Sequence, residues 1–199
     1  MIPKIRFRYS RVYDDRYRIS KDINKKLAKQ NKKYPSQKKI RNYILKIESD
    51  WRRIEGKIFM EISKISGLKW NEKEIKCYII GYGRPFSDPL TLRLYKNKND
   101  FIDTLTHELI HQIQIQNWKN IKVWWEYICR KYKKESILTK KHILLHAIHT
   151  EIYLKIFNMK RLNKNIMKNK DYLDYKRSWE IVQKEGYKNI INEFRKRLR

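Results

Sequence analysis

The chain has 199 residues, and its 49 Lys and Arg against 21 Asp and Glu give a formal net charge of +28. Hydrophobic residues make up 41% and aromatic residues 13% of the chain, which excludes a disordered tail, because such tails are poor in aromatic residues. Five Gly and four Pro are too few for a turn-rich all-β fold, and the length suits one domain.

Cysteine content and apolar runs indicate the compartment. The two cysteines, Cys77 and Cys129, exclude a disulfide framework and a zinc site built on CxxC pairs. The N-terminal segment is charged from the start and lacks the apolar run of a signal peptide. The sequence has no stretch of about eighteen apolar residues, so we expect no membrane contact. These features predict a cytoplasmic protein in a reducing compartment.

In the first part of the chain, hydrophobic periodicity predicts a strand and two helices. Alternating apolar residues predict a strand over 2–12, and a basic, weakly apolar segment predicts a helix over 20–33. Apolar residues then recur at spacings of three and four over 36–67, which predicts one helix of about eight turns. This stripe consists of Ile40, Ile44, Ile47, Trp51, Ile54, Ile58, Ile62 and Ile65.

Two strands and further helices follow. Segments 74–82 and 90–95 have strand patterns, and the glycine- and proline-rich segment between them predicts a wide loop. Helical periodicity covers 100–116, 119–132 and 139–157, and a polar stretch over 160–170 precedes a helical tail. We therefore predict a single α+β domain over residues 1–199, mostly helical, with a small antiparallel or mixed sheet.

One segment, residues 104–113 (Thr-Leu-Thr-His-Glu-Leu-Ile-His-Gln-Ile), carries the residue types of a metal site. His107 and His111 are four residues apart, so on a helix both imidazoles lie on one face and reach one metal ion. Glu108 then lies beside the open position of the metal, where it can take a proton from bound water. Zn²⁺ suits this chemistry best, because it accepts imidazole ligands and needs no redox partner.

The remaining histidines of the chain, His142, His146 and His149, lie together in the predicted helix over 139–157. At 100° per residue they fall within an arc of about 60° on one helix face. We expect at least one of them to bind the same metal ion. His146 is the preferred third ligand because it is central in the cluster, followed by His142 and then His149.

The segment around His107 resembles the zincin metallopeptidases, which share the HExxH motif. It also matches the extended form of that motif, with Thr104 at the position where zincins favour Val or Thr and hydrophobic Ile113 after the ligands. The order of elements is similar to the smallest single-domain zincins: long helix, antiparallel strands, HExxH helix, second ligand-bearing helix. The resemblance covers about 36–158 and leaves a basic helical C-terminal extension over about 171–199.

This resemblance implies a zinc-dependent peptidase, in which metal-activated water attacks a peptide bond and Glu108 is the general base. It also implies a polypeptide substrate bound along an edge strand, for which 90–95 is the candidate. Metzincins are excluded, because Gln114 and Asn117 stand where those enzymes have Gly and His. A histidine third ligand, in place of the glutamate of gluzincins, makes this a minimal gluzincin-like layout.

The charge adds two hypotheses. A positive field attracts polyanions, so the basic surface would place the peptidase on nucleic acid, where it would cut bound proteins. Alternatively, the protein is a non-enzymatic, basic nucleic-acid-binding protein in which four or more histidines close a structural metal site. Water or imidazole in the fourth metal position distinguishes the enzyme from this alternative.

Overall fold

The fold is α+β, as predicted, and mostly helical. The computed structural model describes residues 2–198, which contain ten helices and one four-stranded mixed sheet. Contacts divide the chain into two compact units. We call Ile2–Gly56 with Glu72–Gln112 the sheet unit, and 57–71 with 113–198 the helical unit. Among residues 2–198, no helix combines the length and the apolar character that a membrane span needs.

The elements have the following bounds. The strands are β1 (Lys4–Tyr9), β2 (Glu74–Ile80), β3 (Phe86–Ser87) and β4 (Leu90–Arg93). The helices are α1 (Arg11–Arg18), α2 (Lys21–Ala28), α3 (Gln37–Arg52), α4 (Glu55–Ser66), α5 (Lys98–Gln116), α6 (Trp118–Lys131), α7 (Ile137–Ile156), α8 (Met159–Lys168), α9 (Leu173–Glu185) and α10 (Tyr187–Arg195).

The sheet has the strand order β1-β2-β4-β3, with β1 parallel to β2, β2 parallel to β4 and β3 antiparallel to β4. The prediction that 90–95 is an edge strand is wrong, because Thr91 pairs with Tyr78 on one side and with Phe86 on the other. β3 forms inside the predicted wide loop, where the chain reverses direction and pairs with the outer side of β4. The edge on that side is therefore β3.

The predicted long helix over 36–67 begins and ends as expected but is interrupted. The Ser36 hydroxyl caps its start by accepting a backbone N–H at 3.2 Å, and Gly67, with φ +76°, follows its end. A two-residue turn separates α3 from α4, and the Ile54 N–H bonds the Trp51 carbonyl three residues back. The prediction of one continuous helix is therefore wrong.

Glu55, immediately after this turn, makes several polar contacts at the interruption. Its Oε1 accepts hydrogen bonds from the Ile5 N–H of β1 at 2.6 Å and from the Trp51 indole at 2.9 Å. Arg52 donates to the same carboxylate and to the Ile5 carbonyl. Both backbone groups of Ile5 are thus satisfied by side chains from the α3–α4 junction. The apolar spacing in the sequence gives no sign of these polar contacts.

The carboxylate of Asp14 is a buried polar centre of the sheet unit. It accepts hydrogen bonds from the Gly81 N–H (2.8 Å), the hydroxyls of Tyr34 (2.7 Å) and Tyr9 (2.9 Å), and the Arg18 guanidinium (2.6 Å). Burial alone raises the pKa of Asp14, but these donors outweigh it and hold the pKa below its usual value. Glycine is required at 81, because a Cβ there would lie 2.5 Å from the Tyr34 ring.

The helical unit is built around α7, which contacts α8, α9 and α10. The polar stretch 160–170 lies largely in α8, because Leu162 and Ile166, four residues apart, give it an apolar side that packs in a cluster with Trp179. The segment predicted as a C-terminal extension, 171–199, contains two helices among its described residues. They are α9 and α10, both of which pack against α7.

Removing the Asp14 charge tests the importance of this buried centre. We expect Asp14→Asn to lower the free energy of unfolding by about 3 kcal/mol at pH 7, as when one partner of a buried ion pair is lost. Urea denaturation followed by circular dichroism measures this change. The exposed Asp22→Asn is the matched control, and we expect its free energy of unfolding to stay within about 0.5 kcal/mol of the wild type.

The pH dependence follows from the same carboxylate. Because the folded pKa of Asp14 lies below its unfolded value, its stabilising effect is complete above about pH 4 and is lost as the pH falls through the folded pKa. Asp14→Asn should therefore lose less stability than the wild type below pH 4. Identical acid curves for the two proteins would contradict this account.

Candidate metal centre

Helix α5 brings His107 and His111 together. Leu105 and Leu109 are fully buried on the same helix, while both histidines are half-buried. The two imidazole centroids lie 5.1 Å apart with an interplanar angle of 76°. One helical turn separates the residues, so their rings stand side by side as the four-residue spacing predicts.

Glu108 lies between these histidines in sequence and is buried, with 6% of its surface exposed. Burial raises the pKa of Glu108 to about 7, and a hydrogen bond from the Ser87 hydroxyl to Oε2, 2.7 Å long, opposes this increase. A cation bound beside this carboxylate would favour its charged form. Glu108 is therefore a buried carboxyl group whose pKa lies above that of an exposed glutamate.

Ser87 and Gln112 support Glu108, and sequence reasoning missed both. Gln112 is one turn after Glu108, and its side-chain amide donates to the Ser87 carbonyl. Two side chains of α5 thus bind the hydroxyl and the carbonyl of one β3 residue. Ser87 lies in the predicted wide loop, so its sequence context gave no signal. The only available hint was the four-residue spacing from Glu108 to Gln112.

Helix α7 carries the three remaining histidines, and all of them are buried. His142 is 2% exposed, and His146 and His149 are each 1% exposed. Burial lowers the pKa of His142, and it lowers that of His149 to about 3. These two imidazoles are therefore neutral at physiological pH, which is the protonation state that binds metal ions.

His142 has a defined tautomer. Its Nδ1 lies 2.8 Å from the Leu138 carbonyl oxygen. A carbonyl can only accept a hydrogen bond, so Nδ1 carries the proton and Nε2 carries the lone pair of the neutral ring. Metal-binding histidines commonly donate their other ring N–H to a backbone carbonyl in this way. The local bonding of His142 therefore suits a ligand that binds through Nε2.

His146 is engaged with α9. Its Nδ1 lies 2.8 Å from the Ser178 hydroxyl oxygen, and Ser178 in turn donates its proton to the Tyr175 carbonyl at 2.8 Å. Ser178 must therefore accept its other hydrogen bond from His146. The imidazole also stacks on Trp179, with a centroid distance of 3.9 Å and an interplanar angle of 7°. These contacts describe a packed core histidine.

Three histidines could hold one metal ion. The candidate ligand nitrogens of His107, His111 and His142 all lie within 4.8 Å of one another. Imidazole nitrogens bind Zn²⁺ at about 2.0–2.1 Å, so a group of this size could hold one ion. The group contains His142, the second choice from the sequence, and not His146, the first choice. His149, the third choice, is also outside it.

Comparison with known proteins returned no match: no family model matches the sequence, and no curated protein or solved structure matches it significantly. The resemblance to zincins therefore rests on the HExxH segment and the histidine group.

Metal content of single variants tests this ligand group. We expect the zinc-loaded wild type to hold one ion per chain, and His111→Gln and His142→Gln to bind zinc at least about 100-fold more weakly, because each loses a ligand. Elemental analysis after dialysis, with a chelator competition for affinity, provides the readout.

The matched control is His146→Asn, whose amide keeps a donor near Ser178. It should retain the ion, and circular dichroism should show each variant folded. Loss of zinc in His146→Asn with retention in His142→Gln would contradict the ligand assignment.

Proposed function

We propose that this protein is a zinc-dependent peptidase, with His107, His111 and His142 as metal ligands and Glu108 as general base. One observation supports the proposal above the others: a buried glutamate adjoins two half-buried imidazoles on one helix, and a third imidazole lies within reach of both. A hydrolase of this class needs metal ligands and an adjacent base, and this group supplies both residue types.

The donor set favours zinc among biological cations. Three imidazoles without a carboxylate ligand suit Zn²⁺ and disfavour Mg²⁺ and Ca²⁺, which prefer oxygen ligands. Three protein ligands also leave the fourth tetrahedral position open, as in catalytic sites. When bound, zinc supplies a Lewis acid and lowers the pKa of its water to about 7.

Glu108 supplies the proton transfers. Its carboxylate takes a proton from the attacking water and then passes it to the amine that leaves. Ser87 donates to Oε2, so Oε1 is the oxygen that would carry the proton. Burial limits competing contact with bulk water and keeps the carboxylate more basic than an exposed one. The residue types and their surroundings thus match general-base catalysis.

The edge of the sheet offers a place for a polypeptide. β3 pairs with β4 on one side, and within residues 2–198 no strand pairs with its other side. An extended substrate added at Phe86–Ser87 would run next to the residue that binds Glu108. The proposed substrate is therefore a polypeptide held by β-augmentation. The strand that would pair with it is β3, in place of segment 90–95.

The non-enzymatic alternative is less well supported. A closed structural site needs a fourth protein ligand, and the group found among residues 2–198 contains three histidines. His146 is bonded to Ser178 and stacked on Trp179 instead. We also keep the cytoplasm as the proposed compartment, because Cys77 and Cys129 are free thiols.

Replacing the general base tests the proposed function. We expect Glu108→Gln to keep one zinc per chain and to lose peptidase turnover by about 10³-fold, the scale of general-base catalysis. Cleavage of a mixed library of quenched-fluorescent peptides by the zinc-loaded protein measures turnover.

The matched control is Glu126→Gln on α6, where the side chain is exposed, and its turnover should equal that of the wild type. Full activity in Glu108→Gln would contradict the mechanism. A zinc-loaded wild type that cleaves no peptide of the library would instead support the structural alternative.

A further inference from the structure

The sheet unit presents a row of cations on one face of β1 and β2. Lys4, Arg6 and Arg8 alternate along β1 with buried residues, so all three point to the same face and all are exposed. Lys76 of β2, also exposed, is the register partner of Arg6. We call these four residues the basic strip. It is separate from the residues of the proposed metal centre.

The spacing of the strip suits a chain of phosphates. Strand residues rise about 3.3 Å each, so alternate side chains stand about 6.6 Å apart in a straight line. This is similar to the length of one nucleotide in an extended single strand. Proteins usually read a duplex by placing a helix or ribbon in a groove, whereas an extended single strand can lie along one row of basic side chains. The geometry thus favours a single strand over a duplex.

Aromatic rings continue the same face. Tyr78 of β2 is the register partner of Arg8, and its ring meets Tyr13 of α1 edge-on with centroids 5.2 Å apart. Both tyrosines are half-buried. Proteins that bind single strands combine basic side chains for the backbone with aromatic rings on which bases stack. The strip and Tyr78 have this combination.

Acidic side chains are few in the part of the sequence that contains β1. Residues 2–56 contain 18 Lys and Arg against 6 Asp and Glu, and of these acids Asp14 and Glu55 are buried. Glu74 is an acid on this face: it is the register partner of Lys4 and lies 3.5 Å from Arg6. Both side chains of that ion pair are exposed, so it is weak and yields to a polyanion.

We infer that the basic strip binds single-stranded nucleic acid, with phosphates on Lys4, Arg6, Arg8 and Lys76 and a base against Tyr78. This interaction uses only the sheet unit and requires neither zinc nor peptidase activity. Part of the excess positive charge of the chain would then form a defined binding surface. A peptidase carrying this surface would be held on the same strand as its substrates.

Fluorescence anisotropy with a labelled oligothymidine of about twenty nucleotides tests the inference. Four phosphate contacts predict a slope of log affinity against log salt near −2.8, or about a 50-fold loss between 50 and 200 mM salt. Changing Lys4, Arg6 and Arg8 together to Gln should lower affinity about 100-fold at 0.1 M salt and bring the slope near −0.7.

Two controls sharpen this experiment. Changing the exposed Lys160, Lys164 and Lys170 to Gln removes the same charge from the helical unit and should change affinity less than about threefold. Glu74→Gln removes the competing acid and should strengthen binding several-fold.

Equal losses in the two triple variants, tighter binding to a duplex of equal length, or no binding at 50 mM salt would each overturn the inference. Thermal melts verify that both triple variants remain folded.

Discussion

The buried carboxylate of Glu108 needs a hydrogen-bond donor, and this requirement ties α5 to β3. The donor is the Ser87 hydroxyl, 2.7 Å from Oε2, and Ser87 is available there because β3 turns back and pairs with β4. Gln112 binds the Ser87 carbonyl from the same helix. The position of the proposed base and the position of the sheet edge are therefore set together. In the proposed enzyme, a substrate paired with β3 would lie next to Glu108, which passes the proton of the attacking water to the leaving amine.

The histidines of α7 share one helix face but have different neighbours. His142 donates from Nδ1 to a backbone carbonyl, which directs the lone pair to Nε2 and suits a metal ligand. His146 gives its Nδ1 proton to Ser178 and stacks on Trp179, which suits packing. His149 lies edge-on to Tyr153 at 4.6 Å between ring centroids. His142 and His146 carry the proton on the same nitrogen, Nδ1, so packing partners, and neither tautomer nor spacing, distinguish these residues.

The sequence predicted what periodicity controls and missed what single polar contacts control. The positions of α5 and α7, the α+β class and the pairing of His107 with His111 follow from 3.6-residue and two-residue repeats. The sequence did not predict the break after α3, because the apolar spacing of Trp51, Ile54 and Ile58 continues across it. β3 has two residues and no repeat to detect. The group of candidate ligand nitrogens contains His142 and not His146. Ser178 and Trp179, which contact His146, belong to another helix, so the histidine spacing in α7 gave no sign of these contacts.

The proposed function depends on an open zinc site with three imidazole ligands, and X-ray absorption at the zinc K-edge of the loaded protein tests this site most directly. Scattering from the outer atoms of imidazole rings counts the histidines bound to the metal. The account predicts three imidazoles with Zn–N distances of about 2.0–2.1 Å and one further oxygen ligand from water. Four imidazoles would indicate a closed structural site and contradict the account. So would a zinc ion held by only two imidazoles with protein carboxylates completing the shell.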